Sequence, residues 1–175
     1  MKVIVPLAPG FEEIETMAII DILRRAEVEV YLAGTTEPPV ASARGVKVIP
    51  DISIDDITDY DAVVLPGGNP GYINLASDER VLKLVKNAYK EGKYVAAICA
   101  APSVLGKAGI MEGITATHYP GIDVIGAKYT NERVTRDGTI ITSQGPGTAI
   151  DFALFLVEIF MSMATSETVR EAILA

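Results

Sequence analysis

The sequence predicts an α/β fold, in which helices cover both faces of a mostly parallel central sheet. Short apolar runs alternate with longer segments of helical periodicity, which is the pattern of successive βαβ units. Several of the short runs stop at turns rich in glycine or proline, as buried strands do where they leave a sheet. The 175 residues contain no repeat, long linker or low-complexity tract, so we expect a single domain spanning residues 1–175.

The first half of the chain is predicted to form three strands and two helices. Strands are assigned to short β-branched runs, and helices to segments in which apolar residues recur every three to four positions. These patterns place strands at Lys2–Pro6, Val28–Ala33 and Ala62–Leu65, and helices at Glu13–Ala26 and from Ser77 to about Glu91. Two arginines in the last turn of the first helix suit the negative end of the helix dipole, and a glycine follows the second helix.

The second half of the chain is predicted to add strands, a hairpin and two helices. We predict a strand at Tyr94–Ile98, a helix just after Cys99, a short strand at Ile114–Thr117, a hairpin within Arg133–Thr142 and a helix from about Thr148 to Met163. The complete pattern indicates a layered αβα sandwich of the flavodoxin-like kind. Ligands of such sheets bind at the carboxyl ends of the strands, where the glycine and proline turns should converge on one crevice.

Composition and charge narrow the possible partners. The net charge is −8 and the isoelectric point about 4.7, without blocks of like charge, so we expect no nucleic-acid or membrane partner. The longest apolar segment, Ala149–Ala164, carries two carboxylates and is shorter than the roughly 20 residues of a membrane span. The amino-terminal apolar stretch is too short for a signal peptide, and the single cysteine allows no intrachain disulfide. We therefore expect a cytoplasmic protein.

Cys99 is the first candidate for chemistry. It lies between a predicted strand and a predicted helix, where its side chain should project from the sheet edge as a nucleophile does at a strand-to-helix elbow. The start of the following helix should stabilise a thiolate and lower the thiol pKa below its reference of about 8.5. A buried structural cysteine is the alternative, because free cysteines are among the most buried residues.

Glu15 is the second candidate. It lies in the first turn of the first predicted helix, on the boundary of its apolar face, whereas Glu12 and Glu13 are explained by the helix dipole alone. A partly buried carboxyl near the strand ends would have a raised pKa. In its protonated form it would donate a hydrogen bond to a thiolate, and in its ionised form it would act as a base.

Weaker signals come from the only histidine and from one glycine turn. His118 falls in a loop-like segment, where a solvated side chain is the more common outcome. The turn Pro66–Gly71 lacks the lysine of a phosphate-binding loop, so we expect the amides of Gly67 and Gly68 to approach a ligand oxyanion. One histidine and one cysteine cannot close a structural zinc site, and we predict no metal.

Four segments carry a resemblance to a known family, namely Glu12–Thr16, Val63–Asn69, Ala96–Pro102 and Thr142–Thr148. In order and spacing they resemble the ThiJ/PfpI superfamily, most closely its DJ-one branch, and the match covers nearly the whole chain. The resemblance implies a flavodoxin-like sandwich that forms a homodimer. It further implies that His118 lies near the cysteine, as a candidate catalytic residue that would move protons together with Glu15, and that Arg44 lies near the site, contributed across the dimer.

The same resemblance implies roles for the strongest candidates. It makes Cys99 the nucleophile and an easily oxidised thiol, and Glu15 its hydrogen-bond partner. It also implies that the amides of Gly68 and Ala100 face a bound oxyanion. In the protease-like branch a histidine directly follows the nucleophile, whereas this sequence has Ala100 there.

Two functions agree with these residues, and a third is disfavoured. The first is a cofactor-independent hydrolase or lyase of the glyoxalase or deglycase kind, acting on small carbonyl substrates. These are reactive α-oxoaldehydes such as methylglyoxal and glyoxal, or their protein adducts. The second is a redox-sensing, chaperone-like stress protein in which Cys99 is oxidised to sulfinic acid. The third, an intracellular cysteine peptidase, is disfavoured because Ala100 replaces the histidine that would activate the thiol.

Overall fold

A seven-stranded sheet with helices on both faces forms the centre of the protein. The computed structural model describes all residues, 1–175. In chain order the elements are β1 (Lys2–Leu7), α1 (Glu13–Arg25), β2 (Glu29–Gly34), β3 (Val40–Ala41), β4 (Lys47–Val48), β5 (Ile52–Ser53), β6 (Ala62–Leu65), α2 (Gly71–Ser77), α3 (Glu79–Lys90), β7 (Tyr94–Ile98), α4 (Pro102–Lys107), β8 (Thr115–Ala116), β9 (Lys128–Tyr129), β10 (Val134–Asp137), β11 (Ile140–Ser143), α5 (Ala149–Phe160) and α6 (Met163–Ile173).

The central sheet has the strand order β10-β11-β7-β6-β1-β2-β5. All of its pairs are parallel except the β10–β11 hairpin at one edge. Two small two-stranded sheets, β3–β4 and β8–β9, lie outside it. Strands β7, β6 and β1 are neighbours in the centre, so the segments that follow them meet at one edge of the sheet.

Each face of the sheet buries its own hydrophobic cluster. Alternate side chains of β1 point to opposite faces, so Val3 and Val5 join one cluster whereas Ile4 joins the other. The first cluster packs against α1, α5 and α6, and the second packs against α2, α3 and α4. Burial on both faces explains why the central strands read as continuous apolar runs in the sequence.

The predicted α/β class with a mostly parallel sheet is confirmed. Strands β6 and β7 have the predicted bounds, and α1 ends one residue before the predicted end. The predicted strand at Ile114–Thr117 is only the two-residue β8, and α2 was not predicted. Its sequence begins with glycine and has no capping side chain, so it carries little helical signal.

The helix predicted from about Thr148 is present as α5, but its predicted end at Met163 is wrong. Helix α5 ends at Phe160, and Ser162 begins a second helix by accepting a hydrogen bond from the Thr165 amide at 3.1 Å. The serine hydroxyl satisfies an amide that a continuous helix would have bonded internally, so the chain turns here. None of the helices has the length and apolar composition needed to cross a membrane.

One glycine turn fixes β6 against the start of α1. The Glu12 amide donates to the Gly67 carbonyl at 3.0 Å, and the Gly71 amide donates to the Gly10 carbonyl at 3.0 Å. Gly68 has φ +100°, and a Cβ there would fall on the Glu12 nitrogen and the Gly10 oxygen. Only glycine can occupy this position, because both its backbone angle and its neighbours exclude a side chain.

Candidate active site

Cys99 occupies a sharp elbow at the carboxyl end of β7. Its backbone has φ +65°, a left-handed conformation that non-glycine residues adopt rarely. The Cys99 amide donates to the Ser143 carbonyl at 2.9 Å, and the Cys99 carbonyl accepts from the Tyr119 amide at 2.8 Å. These bonds hold the elbow on both sides, and the predicted strand–turn–helix setting of the cysteine is confirmed.

Glu15 lies beside this elbow in the first turn of α1 and is fully buried. The Glu12 side chain caps the helix by accepting from the Glu15 amide at 2.8 Å. The Glu15 Oε2 atom accepts from the Gly67 amide at 2.7 Å, while Oε1 is buried with no hydrogen-bond partner. A Cβ on Gly67 would lie 2.8 Å from the Cys99 Cβ and 2.9 Å from Glu15 Oε2, so the two side chains face each other across this glycine.

Burial controls the ionisation of both side chains. It raises the pKa of the Glu15 carboxyl from 4.5 to about 7, against the opposing effect of the Gly67 amide and of the neighbouring Cys99 thiol. Burial, together with the charge of the Glu15 carboxylate, raises the pKa of the Cys99 thiol to about 12. Near neutral pH the resting thiol therefore keeps its proton.

The prediction of a lowered thiol pKa is wrong for this reason. That prediction rested on stabilisation of the thiolate by the start of the following helix, but α4 has only six residues and Cys99 is only 9% exposed. Desolvation disfavours the thiolate, and the adjacent carboxylate repels it. The amides of Ala100 and Gly68 do lower the pKa of Cys99, but they oppose larger effects.

The three predicted oxyanion donors separate into two groups. The amides of Gly68 and Ala100 interact with the Cys99 side chain, so they point to where an oxyanion would form on an adduct of the sulfur. The Gly67 amide is already bonded to Glu15. The prediction of Gly67 as an oxyanion donor is therefore wrong, because its amide holds the carboxyl in place instead.

A cavity of about 360 Å³ opens above the thiol. Its lining residues are Glu12, Ala43, Arg44, Gly68, Asn69, Tyr72, Cys99, Ala100, Tyr119, Ile122 and Pro146. Arg44 reaches this cavity from the β3–β4 hairpin of the same chain, where its amide donates to Glu13 at 2.7 Å. The expectation that this arginine comes from across a dimer is therefore corrected, because the chain's own hairpin delivers it.

His118 does not line the cavity. Its ring packs against Tyr129 with centroids 4.7 Å apart, and its Nδ1 lies 3.1 Å from the Tyr119 carbonyl oxygen. The side chain is buried, in contrast to the solvated residue that its loop suggested. The next residue, Tyr119, occupies the position beside Cys99 instead.

A buried hydroxyl network supports the remaining wall of the cavity. The Thr148 hydroxyl accepts from the Gly145 amide at 3.1 Å and donates to the Gly145 carbonyl at 2.9 Å. The Ser143 hydroxyl lies 2.7 Å from the Thr148 hydroxyl, and the Ser143 carbonyl accepts a hydrogen bond from the Cys99 amide. The network thus joins the Cys99 elbow to the turn that carries Pro146.

Sequence reasoning did not find the tyrosines of the cavity. Tyr72 is in the unpredicted helix α2, and Tyr119 is in a loop, where no periodicity indicates which way a side chain points. The sequence pointed to the adjacent His118 because it is the only histidine in the chain, whereas in the structure Tyr119 lines the cavity.

A second cavity, of about 370 Å³, lies beside the ends of β2 and β5. Its single cation, Arg80, is bonded to Asp55 and Asp78 at 2.6 Å each and to the Thr35 carbonyl at 2.8 Å. The other charged side chains lining this cavity are exposed acids, whereas the Cys99 cavity is lined by a thiol of raised pKa, behind which lies the buried Glu15 carboxyl, whose pKa is also raised. No group of three or more His, Cys, Asp and Glu side chains is arranged to hold a metal ion anywhere in the chain.

A flavodoxin-like sandwich with a cysteine elbow beside a buried glutamate defines the class of protein. The model of the DJ-1/PfpI family matches residues 1–159, and the chain belongs to this family. The resemblance stated from the four sequence segments is therefore confirmed.

Individual relatives agree with this assignment. The chain is 40% identical to the Parkinson disease protein 7 homolog of Danio rerio over 178 residues, which cover 97% of this chain and 94% of that protein. The crystal structure of Drosophila melanogaster DJ-1beta matches with a TM-score of 0.96 at 37% identity, covering 99% of this chain and 97% of that one. The glutathione-independent glyoxalase DJR-1.2 of Caenorhabditis elegans is 38% identical over 152 residues, covering 84% and 81% of the two chains.

Replacing Glu15 by glutamine should favour the folded protein more at pH 8 than at pH 4, relative to the wild type. The folded-state pKa of Glu15 lies above its ordinary value, so the folded protein binds this proton more tightly than the unfolded chain. That stabilisation is complete below pH 4.5 and is lost as the pH rises through about 7. We expect Glu15→Gln to gain up to about 3 kcal/mol over the wild type at pH 8 compared with pH 4.

Urea unfolding of both proteins at pH 4 and pH 8 measures this difference. Glutamine keeps an oxygen for the Gly67 amide, and subtracting the wild-type change removes every other titrating group. An equal stability difference at both pH values would show that burial does not raise the pKa of Glu15.

Proposed function

We propose that this protein is a cysteine-dependent, cofactor-independent enzyme that converts α-oxoaldehydes, such as methylglyoxal and glyoxal or their protein adducts, into hydroxy acids. The observation that carries the proposal is the fully buried Glu15 carboxyl, with a pKa of about 7, beside the Cys99 thiol. A relative named as a glutathione-independent glyoxalase supports it. We place the activity in the cytoplasm, where a single free thiol stays reduced.

The first chemical step is addition of sulfur to the aldehyde. The Glu15 carboxylate accepts the Cys99 proton, and the thiolate attacks the aldehyde carbon to form a carbon–sulfur bond. The carbonyl oxygen becomes an oxyanion next to the amides of Gly68 and Ala100, which donate hydrogen bonds to it. The protonated Glu15 then returns the proton to this oxygen, giving a neutral hemithioacetal.

The second step moves hydrogen between the two substrate carbons. The Glu15 carboxylate removes the proton from the former aldehyde carbon, and the electron pair forms an enediol with the neighbouring carbon. Glu15 delivers its proton to that second carbon, while the hydroxyl proton of the first passes to the second oxygen. The first carbon is oxidised to a thioester and the second is reduced to an alcohol. Solvent water then cleaves the thioester, releasing the hydroxy acid and restoring the thiol.

Lactate formation from methylglyoxal, without added glutathione, tests this proposal. We expect the wild type to form lactate with a kcat/KM that rises as the pH increases through about 7, because Glu15 must be ionised to accept the thiol proton. Cys99→Ser and Glu15→Gln should each lose activity by at least about a hundredfold, as expected on removing a nucleophile or a general base.

The two variants differ in how they would contradict the mechanism. Lactate formation that survives in Cys99→Ser would remove the nucleophile from the proposal. A Glu15→Gln protein that keeps the wild-type rate and pH profile would exclude Glu15 as the proton carrier. Circular dichroism of both variants checks that the fold is intact.

Peptidase activity has no support from this site. Ala100 follows the cysteine, and the only imidazole in the chain is directed at Tyr119 and Tyr129 rather than into the cavity. His118 is also 9% exposed, so it is not presented to a neighbouring copy. A peptidase needs a base in contact with the thiol during peptide cleavage, and here that position belongs to Glu15.

Oxidation of Cys99 is a second candidate function, favoured by one specific observation. Glu15 Oε1 is buried without a hydrogen-bond partner next to the thiol, so a protonated Glu15 would donate to a sulfinate oxygen. In this reaction two peroxide molecules each give one oxygen atom to the sulfur and leave as water. The chain would then report oxidative stress through the charge of the sulfinate.

Mass spectrometry after mild peroxide treatment tests this second function. We expect the wild type to gain two oxygen atoms at Cys99, located by peptide mapping. Cys99→Ser is the matched control, because its mass gain measures oxidation of the five methionines alone. An unmodified thiol under conditions that oxidise the methionines would exclude a redox role.

We also propose that the protein is a homodimer whose interface is the α1–hairpin surface, formed by Ile14, Met17, Val46 and Ile49. These apolar side chains are exposed by 59%, 38%, 49% and 76% respectively. Glu13 joins the helix to the hairpin through the Ser42 hydroxyl at 2.5 Å. A second copy would cover the apolar side chains from solvent.

Sedimentation measurements test the dimer. We expect the wild type to sediment at twice the 18.6 kDa chain mass and Ile14→Asp to sediment as a monomer, because a buried carboxylate would oppose association. Leu174→Asp is the control, since Leu174 is 94% exposed at the end of α6. A monomeric wild type, or a dimer that persists in Ile14→Asp, would exclude this interface.

A further inference from the structure

Tyr119 stands beside the nucleophile and is tied to it through the backbone. Its amide donates to the Cys99 carbonyl at 2.8 Å, so its Cα cannot move independently of the elbow. A Cβ on Gly145 would lie 3.3 Å from the Tyr119 ring and 3.9 Å from the Cys99 sulfur. The ring and the sulfur therefore flank the same point in the cavity. The ring is nevertheless 49% exposed, so one part of it is available for contact with a ligand.

The cavity is larger than the smallest α-oxoaldehydes require. Its volume is about 360 Å³, whereas the skeleton of methylglyoxal has only three carbon atoms. The apolar part of the cavity lining includes Tyr72, Tyr119, Ile122 and Pro146. When the aldehyde carbon is bonded to the Cys99 sulfur, the substituent on the neighbouring carbon is within reach of the Tyr119 ring, because ring and sulfur flank the same point.

Charge does not offer a competing basis for selection. The cavity has one acid, Glu12, and one base, Arg44, among its lining residues. Their opposite charges give the rim no net preference for a charged substituent. Burial against an aromatic ring remains the larger source of discrimination.

We propose that Tyr119 is the specificity-determining residue of this site, and that the preferred substrates are α-oxoaldehydes with an aromatic substituent. The inference rests on the proposed function and names its substrate class. The substituent packs on the Tyr119 ring while the aldehyde carbon is bonded to Cys99. For phenylglyoxal the balance is unchanged: the aldehyde carbon is oxidised, the ketone carbon is reduced, and one water is consumed to release mandelate.

Steady-state kinetics with phenylglyoxal and methylglyoxal test the inference. We expect the wild type to have the higher kcat/KM for phenylglyoxal. Tyr119→Ala should lower kcat/KM for phenylglyoxal about tenfold, mainly through KM, because an aromatic contact and its buried area are lost. The same variant should lower kcat/KM for methylglyoxal by a clearly smaller factor, since its methyl group makes little contact with the ring.

Two further variants separate this role from a structural one. Tyr119→Phe keeps the ring and should retain the wild-type preference. Tyr89→Ala removes an exposed tyrosine from α3, away from the cavity, and should leave kcat/KM unchanged for both substrates. Equal losses for both substrates in Tyr119→Ala, or a preference for phenylglyoxal that survives it, would overturn the inference.

A direct alkylation assay distinguishes failure of this inference from failure of the proposed function. Phenacyl bromide and bromoacetone react with Cys99 by displacement of bromide and differ only in a phenyl or methyl substituent. Tyr119→Ala should slow the phenacyl reaction relative to the bromoacetone reaction by about the same tenfold factor. If the wild type forms no hydroxy acid but this ratio changes, the catalytic proposal fails and the Tyr119 contact stands. An unchanged ratio overturns the role of Tyr119 whatever the catalytic result.

Discussion

The hydrogen bond from the Gly67 amide to the Glu15 carboxyl is the interaction on which the site depends. It joins the turn after β6 to the first turn of α1, and Cys99 follows β7, the strand beside β6. The segments that follow the three parallel strands β1, β6 and β7 therefore each contribute one group to the site at the carboxyl edge of the sheet: the Glu15 carboxyl, the Gly67 amide and the Cys99 thiol. Because a side chain at Gly67 would collide with both Cys99 and Glu15, the close approach of the acid and the thiol requires glycine there.

This arrangement is costly for the fold and useful for proton transfer. A carboxyl with no solvent exposure and one unpaired oxygen is unfavourable when ionised, which is why its pKa approaches neutrality. The same burial keeps the Cys99 thiol protonated. A carboxyl that titrates near pH 7 is available both as a base and as an acid, so Glu15 is suited to accepting a proton and returning it during one reaction.

The sequence predicted the sheet and the position of the site because both follow from local patterns. Apolar runs that end at glycine or proline located β6 and β7, and the helical boundary position of Glu15 indicated partial burial. What failed depended on tertiary contacts: burial overrides the helix start in setting the pKa of Cys99, and the amide of Gly67 is consumed by Glu15. The break between α5 and α6 at Ser162 was also not predicted, because the apolar pattern continues across it and the new helix is marked by the hydrogen bond that caps it.

The loop after β8 carries two neighbouring residues, His118 and Tyr119, and the sequence alone does not indicate which of their side chains faces the cavity. Its backbone is anchored to Cys99, so the rotation of two consecutive side chains decides which one faces the cavity. His118 turns toward Tyr129, and Tyr119 takes the place beside the sulfur. An imidazole there would add a third titratable group beside Cys99 and Glu15, whereas the phenol ring of Tyr119 adds an apolar surface. In the function proposed above, the elbow and Glu15 supply the chemistry alone, and the proposed role of Tyr119 gives this loop the selection of the substrate.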